Sequence, residues 1–265
     1  MATTTANGVD LWVEQEGDGD DVLFISGLAD EGACWVDQVA GLKQRYRLTT
    51  FDNRGVGRSA TPEGPFRIAD FAADTAALID SLGIERAHVV GSSMGGAIAQ
   101  ELALAHPDRV RSLVLNGTWC RGDRFLHEVF RNWMWSAERA DSIRDFLVTV
   151  NLWCFSPRIW NEGTMDGWID AAEASPYPQS VDAFCRSAQA LIEHDSADRI
   201  AAIRAPTLVT VGELDLCLPV RFSEGLVERI PNARLTVVPA VGHQPFQEVP
   251  EAYNRLLDEF WQSVD

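Results

Sequence analysis

The chain has 265 residues, of which 46% are hydrophobic, and it carries a formal net charge of −17 at pH 7. This length is enough to bury a full core and fits one α/β domain with a modest insertion. The negative charge repels phosphate backbones and anionic lipid, which excludes nucleic acid and membrane surfaces as expected partners.

The start of the chain has no basic segment followed by an apolar one, and no later stretch approaches ~20 uninterrupted apolar residues. We therefore expect a soluble cytoplasmic protein. Its five cysteines are Cys34, Cys120, Cys154, Cys185 and Cys217. Their odd number and the lack of a C-x-x-C pair predict reduced thiols rather than disulfides or a zinc site. We expect no metal and no cofactor, and a small-molecule substrate as partner, with a homodimer left open.

Short apolar runs alternate with amphipathic stretches along most of the chain. The runs predicted as buried parallel strands are residues 22–25, 48–51, 87–90, 112–115, 207–211 and 235–238. The stretches predicted as helices are residues 68–82, 95–105, 220–230 and 252–264. This alternation predicts an α/β fold with a mostly parallel twisted sheet flanked by helices, and with residues 9–13 as an antiparallel edge strand.

The alternation breaks between residues 119 and 194, where residues 125–135 and 140–153 have helical patterns. Six of the nine tryptophans fall in this segment: Trp119, Trp133, Trp135, Trp153, Trp160 and Trp168. Aromatic side chains at this density must pack against each other or line an apolar ligand site. We predict a core formed by residues 1–118 and 195–265 and a helical cap formed by residues 119–194. Trp119, Trp133, Trp135, Trp153 and Trp160 are the candidate substrate-binding residues.

Ser93 lies in the sequence Gly-Ser-Ser-Met-Gly at residues 91–95, between a predicted strand and a predicted helix. This G-x-S-x-G context is typical of a nucleophile elbow, a tight turn that presents the serine hydroxyl at the edge of the sheet. The flanking glycines avoid clashes within the turn. The N–H of Met94, which opens the helix, is placed to stabilise an oxyanion.

A serine nucleophile needs a general base, and the base needs an orienting carboxylate. Asp215 follows the strand at 207–211, and His243 follows the strand at 235–238, so both lie at the edge where open α/β sheets bind ligands. Glu213 and Asp123 are weaker alternatives for the acid.

The other histidines have less suitable positions. His88 lies inside a predicted strand, His106 precedes Pro107 at a helix end, and His127 and His194 belong to the insertion or its exit. We interpret these four as structural, with His127 as the one that could face a pocket.

These motifs resemble those of the α/β-hydrolase-fold family, in particular the 3-oxoadipate enol-lactonase, aminoacrylate hydrolase and cofactor-free haloperoxidase type. The resemblance covers nearly the whole chain. The segments that carry it are residues 51–59 (FDNRGVGRS), 91–95 (GSSMG), 212–215 (GELD) with Pro219, 242–243 (GH) and 248–251 (EVPE). It implies that Ser93 is the nucleophile, Asp215 the acid and His243 the base, and that residues 119–194 form the cap.

One segment departs from the family pattern. The family commonly has His-Gly before the oxyanion residue, whereas this chain has Ser26-Gly27-Leu28 ahead of Trp35. The backbone N–H of Leu28 can still serve together with that of Met94, because an oxyanion hole needs donors rather than a particular side chain. Ser26 or Asp30 is the candidate to hold this loop.

Two arginines, Arg54 and Arg58, lie in the turn at residues 52–59. They invite a substrate-binding interpretation, but we favour a structural one, because arginines in such turns pair with carbonyls or carboxylates.

The leading hypothesis is a serine hydrolase of a carboxylic ester or lactone with a largely apolar substrate, acting through an acyl-enzyme. The same residues suit a carbon–carbon bond hydrolase of a ring-cleavage product, or a perhydrolase. A silent ligand-binding scaffold is the non-enzyme alternative, and the intact Ser, Asp and His argue against it. Dehalogenase and epoxide hydrolase chemistry is disfavoured, because it uses a carboxylate where this chain has Ser93.

Overall fold

The computed structural model describes residues 1–264 and contains one sheet of eight strands in this part of the chain. In chain order the strands are β1 (Ala2–Ala6), β2 (Val9–Glu16), β3 (Asp20–Ile25), β4 (Tyr46–Phe51), β5 (Ala87–Ser92), β6 (Val110–Asn116), β7 (Thr207–Gly212) and β8 (Ala233–Val238). Their spatial order is β1-β2-β4-β3-β5-β6-β7-β8. Strands β3 to β8 pair in parallel, which confirms the predicted fold class.

The antiparallel edge has two strands, one more than the sequence predicted. β1 pairs with β2, and β2 pairs with β4. Asn7 and Gly8 connect β1 to β2 with φ angles of 51° and 77°. Positive φ at both turn residues is the geometry of a tight hairpin that matches strand twist, and Asn-Gly is its preferred sequence.

Helices cover both faces of the sheet. The helices outside the insertion are α1 (Val36–Leu42), α2 (Ile68–Ser81), α3 (Met94–Ala105), α9 (Arg221–Val227), α10 (Pro245–Glu248) and α11 (Pro250–Gln262). Apolar residues of α2, α3 and α9 pack into one buried cluster, and those of α1 and α11 pack into a second. The interior strands β5, β6 and β7 have helices on both faces, which explains their runs of buried residues.

Five helices are inserted between β6 and β7: α4 (Arg124–Arg139), α5 (Ile143–Cys154), α6 (Pro157–Asn161), α7 (Thr164–Glu173) and α8 (Val181–Glu193). Asp123, Ser142 and Ser180 begin α4, α5 and α8, and each side chain accepts a hydrogen bond from a backbone N–H of the first turn. An isolated bridge between Arg121 and Asp195 joins the two ends of the insertion. The division into core and cap at 118/119 and 194/195 remains a prediction.

No helix among residues 1–264 is long and apolar enough to cross a membrane.

Candidate active site

Ser93 occupies a strained turn between β5 and α3, with φ 54° and ψ −115°. A non-glycine residue at positive φ costs conformational energy and is held there only by its surroundings. Gly91 and Gly95 make the turn feasible: a Cβ on Gly91 would lie 2.2 Å from the Gly95 carbonyl oxygen, and one on Gly95 would lie 2.0 Å from that of Ile25. The structure therefore has the elbow geometry that the sequence predicted.

His243 and Asp215 form a buried pair at the carboxyl ends of β8 and β7. The distance from His243 Nδ1 to Asp215 Oδ2 is 2.7 Å, and each residue is only 3% exposed. The Leu218 N–H donates to Asp215 Oδ1 at 2.7 Å. A carboxylate that accepts from Nδ1–H fixes the tautomer that leaves Nε2 unprotonated. Such an imidazole can accept a proton.

The electrostatic surroundings of His243 favour its protonated form. Burial lowers the pKa of His243, but the charge of Asp215, its hydrogen bond and the charge of Asp30 outweigh burial and raise the pKa above its ordinary value. The interactions that raise the pKa stabilise the imidazolium, which is the form that a general base adopts after it takes a proton.

The weaker candidates for the acid and base are placed elsewhere. Glu213 accepts from the Ala240 N–H, and Asp123 caps α4 and pairs with Arg221. His88 lies in β5 with Nδ1 2.8 Å from the Ser112 hydroxyl.

The remaining histidines also lie away from Ser93. His106 follows α3, His127 lies on α4, and His194 packs edge-on to Trp119. None of them lines the cavity beside Ser93 described below.

A buried carboxylate holds the loop that carries His243. Glu248 Oε1 accepts from the N–H groups of Gly242 and Ser156, both at 2.9 Å, and Oε2 accepts from the Ser156 hydroxyl at 2.5 Å. The His243 N–H donates to the Cys154 carbonyl at 2.7 Å. The loop that contains His243 is thus bonded to the segment that joins α5 and α6.

Two backbone donors flank Ser93, as expected for an oxyanion hole. Within residues 1–264, no acceptor is bonded to the N–H of Leu28 or to that of Met94. A Cβ on Gly27 would lie 3.5 Å from Ser93 Cβ, so the loop containing Leu28 lies directly against the serine. The arrangement provides donors on two sides of Ser93; their role as an oxyanion hole remains a prediction.

Ser26 is the residue that holds this loop. Its hydroxyl accepts from Trp35 Nε1 at 3.1 Å and donates to the Glu31 carbonyl at 3.3 Å. Asn53 also donates to the Ser26 carbonyl. Asp30, the other candidate for this task, makes no side-chain hydrogen bond within the described chain and faces the cavity instead.

Two adjoining cavities lie between the sheet edge and the inserted helices. The serine cavity, of about 280 Å³, is lined by Ser93, His243, Leu28 and Asp30 together with residues of α5, α7 and α8. The outer cavity, of about 430 Å³, lies against Glu31, Tyr177 and α8. They share the wall residues Ala29, Phe146, Leu147, Ala172 and Phe184. The walls are mostly apolar, as in small-molecule sites.

Only one of the five candidate tryptophans lines either cavity. Trp133 lies on the wall of the serine cavity, whereas Trp135, two residues along α4, is 57% exposed. Trp119 is fully buried against Phe130, and Trp153 and Trp160 pack on the core.

These positions correct the expectation for Trp119, Trp135, Trp153 and Trp160, because neither cavity reaches them. The sequence could not separate core from cavity positions, since both are apolar. Trp168, which lines the serine cavity, was not among the candidates. Asn151, Gln244 and Gln247 add polar groups to that wall without a motif that could have marked them.

Arg54 and Arg58 have structural environments. Arg54 forms a buried two-point ion pair with Asp74, with both N–O distances 2.6 Å. The guanidinium of Arg58 lies over the rings of Trp12 and Tyr177. The preference for a structural interpretation therefore agrees with their contacts.

All five cysteines are free thiols. Burial raises the pKa of Cys154 and Cys217 well above the ordinary value, so both remain protonated. Among residues 1–264, no group of three or more His, Cys, Asp or Glu side chains is arranged to hold a metal ion.

Residues 21–148 match the family described as the alpha/beta hydrolase fold. A protein of Azorhizobium caulinodans named carbamate hydrolase RutD is 31% identical, over 97% of this chain and 96% of its own length. A protein of Mycobacterium tuberculosis named non-heme bromoperoxidase BpoC is 36% identical, over 97% of this chain and 99% of its own. The solved structure of Est816, described as an N-acyl homoserine lactone degrading enzyme, is 30% identical with a TM-score of 0.85, over 98% of this chain and all of that one.

Proposed function

Since the chain belongs to the α/β-hydrolase family, we propose that it is a serine hydrolase that cleaves a carboxylic ester or lactone through an acyl-enzyme. The observation that carries the proposal is that Ser93, at a strained elbow, lines the same cavity as His243, which is hydrogen-bonded to Asp215. Three side chains from three strand ends that are arranged in this way suit the roles of nucleophile, base and orienting acid, which supports the proposal.

The proposed reaction has two halves. Ser93 Oγ bonds to the substrate carbonyl carbon while its proton moves to His243 Nε2, and the N–H groups of Leu28 and Met94 bind the resulting oxyanion. Collapse breaks the carbon–oxygen bond of the ester, and His243 returns the proton to the leaving oxygen. Water then attacks the acyl carbon with His243 as base, which releases the acid and restores Ser93.

The inserted helices are proposed to act as a cap that determines which substrates fit. Phe146 and Leu147 of α5 and Phe184 of α8 form walls shared by both cavities. An apolar wall excludes water and favours a largely apolar substrate. Residues 119–194 would thus control selectivity while the strand ends carry the chemistry.

The experiment is a substrate panel tested with the wild type, Ser93→Ala and Asp215→Asn. The panel contains short esters, N-acyl homoserine lactones, a carbamate, a β-diketone-like dienone, and an ester with hydrogen peroxide as acceptor. We expect ester or lactone turnover by the wild type and losses of ~10⁴-fold or more in kcat for Ser93→Ala.

Asp215→Asn should also be severe, because an amide cannot hold the required imidazole tautomer. Circular dichroism of each variant serves as the folding control. Wild-type turnover by folded Ser93→Ala would overturn the proposal. If the wild type cleaved the dienone or the carbamate faster than the esters and lactones, that compound class would replace the ester or lactone as the proposed substrate.

A further inference from the structure

Asp30 places a carboxylate in the serine cavity beside the proposed catalytic groups. A Cβ built on Gly27 would lie 2.8 Å from Asp30 Oδ2 and 3.5 Å from Ser93 Cβ. The side chains of Asp30 and Ser93 therefore both lie next to Gly27. Asp30 also couples electrostatically to His243. The carboxylate is therefore within reach of a substrate group close to the reacting carbonyl.

The Asp30 carboxylate has no hydrogen-bond donor or cation bonded to it within residues 1–264. Its backbone N–H donates to the Gly27 carbonyl at 3.4 Å, but no side-chain contact of Asp30 is formed. The surrounding protein desolvates the group and raises its pKa to about 6, although part of the residue's surface faces the cavity. The carboxylate therefore faces the cavity with its acceptor oxygens free, and a ligand group can bond to it without breaking a contact within the protein.

The charge of the cavities points to the kind of ligand. No lysine or arginine is among the described residues that line either cavity, whereas Asp30 lines the serine cavity and Glu31 and Asp141 line the outer one. A carboxylate on a substrate would meet the like charge of Asp30, and no lysine or arginine of the cavity walls would compensate for it. An ammonium group would find a partner at Asp30.

We propose that Asp30 is a specificity-determining residue that binds a primary ammonium group near the scissile carbonyl of the substrate and disfavours substrates with a carboxylate there. The substrate class is thus an amino-substituted ester or lactone. This inference rests on the proposed serine hydrolase function and narrows its substrate.

The test compares three substrates that differ in one terminal group: ethyl 3-aminopropanoate, ethyl butanoate and monoethyl succinate. Each is assayed at pH 7.5 with the wild type and Asp30→Asn, and the products are separated by chromatography. Asp37→Asn is the matched control, because it removes the same charge from an exposed position on α1.

We expect Asp30→Asn to lower kcat/KM for the amino ester by roughly 10- to 100-fold relative to ethyl butanoate, the range of a charge-assisted hydrogen bond. Monoethyl succinate should become a better substrate in the same variant, and Asp37→Asn should leave the ranking unchanged. As a second measurement, butylammonium should inhibit wild-type hydrolysis of ethyl butanoate more strongly than butanoate does, and Asp30→Asn should remove that difference.

The pH dependence of the preference gives an independent readout. The ratio of kcat/KM for the amino and neutral esters should rise through about pH 6 in the wild type as Asp30 ionises, and should lose this rise in Asp30→Asn. His243 is the other titrating group that faces Asp30, and it is present in both proteins; Cys34 and Cys154 also lie close, but their raised pKa values keep them neutral.

The outcomes separate the inference from the proposed function. If the wild type turns over the esters through Ser93 but Asp30→Asn changes neither the substrate ranking nor the inhibitor difference, the inference is overturned and the serine mechanism stands. If Ser93→Ala retains wild-type turnover, the serine mechanism fails.

Discussion

Asp30 should destabilise the folded protein when it is ionised. Because its pKa is raised from 3.8 to about 6 by burial, the folded state holds the proton more tightly than the unfolded state. The stability that this proton provides is complete below about pH 4 and is lost as the pH rises through 6.

Asp30→Asn should therefore raise the melting temperature at pH 7.5 and give a much smaller gain at pH 4. Each kcal/mol relieved corresponds to about 2 to 4 °C for a protein of this size. Differential scanning calorimetry at the two pH values measures the effect, with Asp37→Asn as control. An equal change at both pH values would show that the carboxylate charge is not responsible.

His243 should set the acid limb of the activity profile. The charges of Asp215 and Asp30 raise its pKa despite burial, and only the neutral imidazole accepts the Ser93 proton. For a neutral ester, kcat/KM should rise with pH through a midpoint above 6.5, the ordinary value for histidine. Asp30→Asn should move the midpoint down, because one of the raising charges is removed. A midpoint that stays in place would contradict this coupling.

At the scale of elements, the loop that follows β8 depends on Glu248 of α10. Glu248→Gln keeps one amide oxygen that can accept from the Gly242 and Ser156 N–H groups, but it removes the negative charge and puts an NH2 group where an oxygen accepts from the Ser156 hydroxyl. Replacing these charge-assisted buried hydrogen bonds by neutral ones should lower the free energy of unfolding by about 1 to 3 kcal/mol. It should also lower kcat more than it changes KM, because His243 follows Gly242 directly.

Urea unfolding and steady-state kinetics with an ester measure the two effects of Glu248→Gln. Glu251→Gln is the control, since this carboxylate is exposed in the first turn of α11. If Glu248→Gln were less stable but had the same kcat as the wild type, Glu248 would stabilise the fold without positioning His243.

Helix α4 offers a matched pair of tryptophans. Trp133 lines the serine cavity and Trp135 lies on the surface. Trp133→Ala should change kcat/KM by unequal factors across an ester chain-length series, with about 1 to 3 kcal/mol of discrimination at stake. Trp135→Ala should leave the ranking unchanged. If Trp133→Ala changed kcat/KM by the same factor for every ester, the claim that the inserted helices select substrates would be contradicted.

The elements that sequence predicted best are those with a repeating pattern or a local motif. Short apolar runs mark β3 to β8, and flanking glycines mark Ser93, so both could be located without a structure. β1 was missed because Ala2–Ala6 is short and mostly polar, although Asn7-Gly8 was a usable hairpin signal. The role of Asp30 was missed, because facing a cavity depends on distant helices that local sequence does not encode.

At the scale of the whole molecule, the sheet and the inserted helices contribute different parts of the candidate site. β5, β7 and β8 end at one edge and bring Ser93, Asp215 and His243 to it. The insertion encloses this edge and supplies most of the apolar wall. Because function resides in sites carried on a fold, relatives with different named activities can share this fold.

The central claim is that Ser93 is the nucleophile activated by His243 and Asp215. It is tested most directly by reaction with a neutral fluorophosphonate, followed by intact-mass measurement and peptide mapping. The wild type should gain one phosphonyl group on Ser93, Ser93→Ala should gain none, and Asp215→Asn should react much more slowly at pH 7.5. A stable adduct on another residue, or wild-type labelling of Ser93→Ala, would contradict the account.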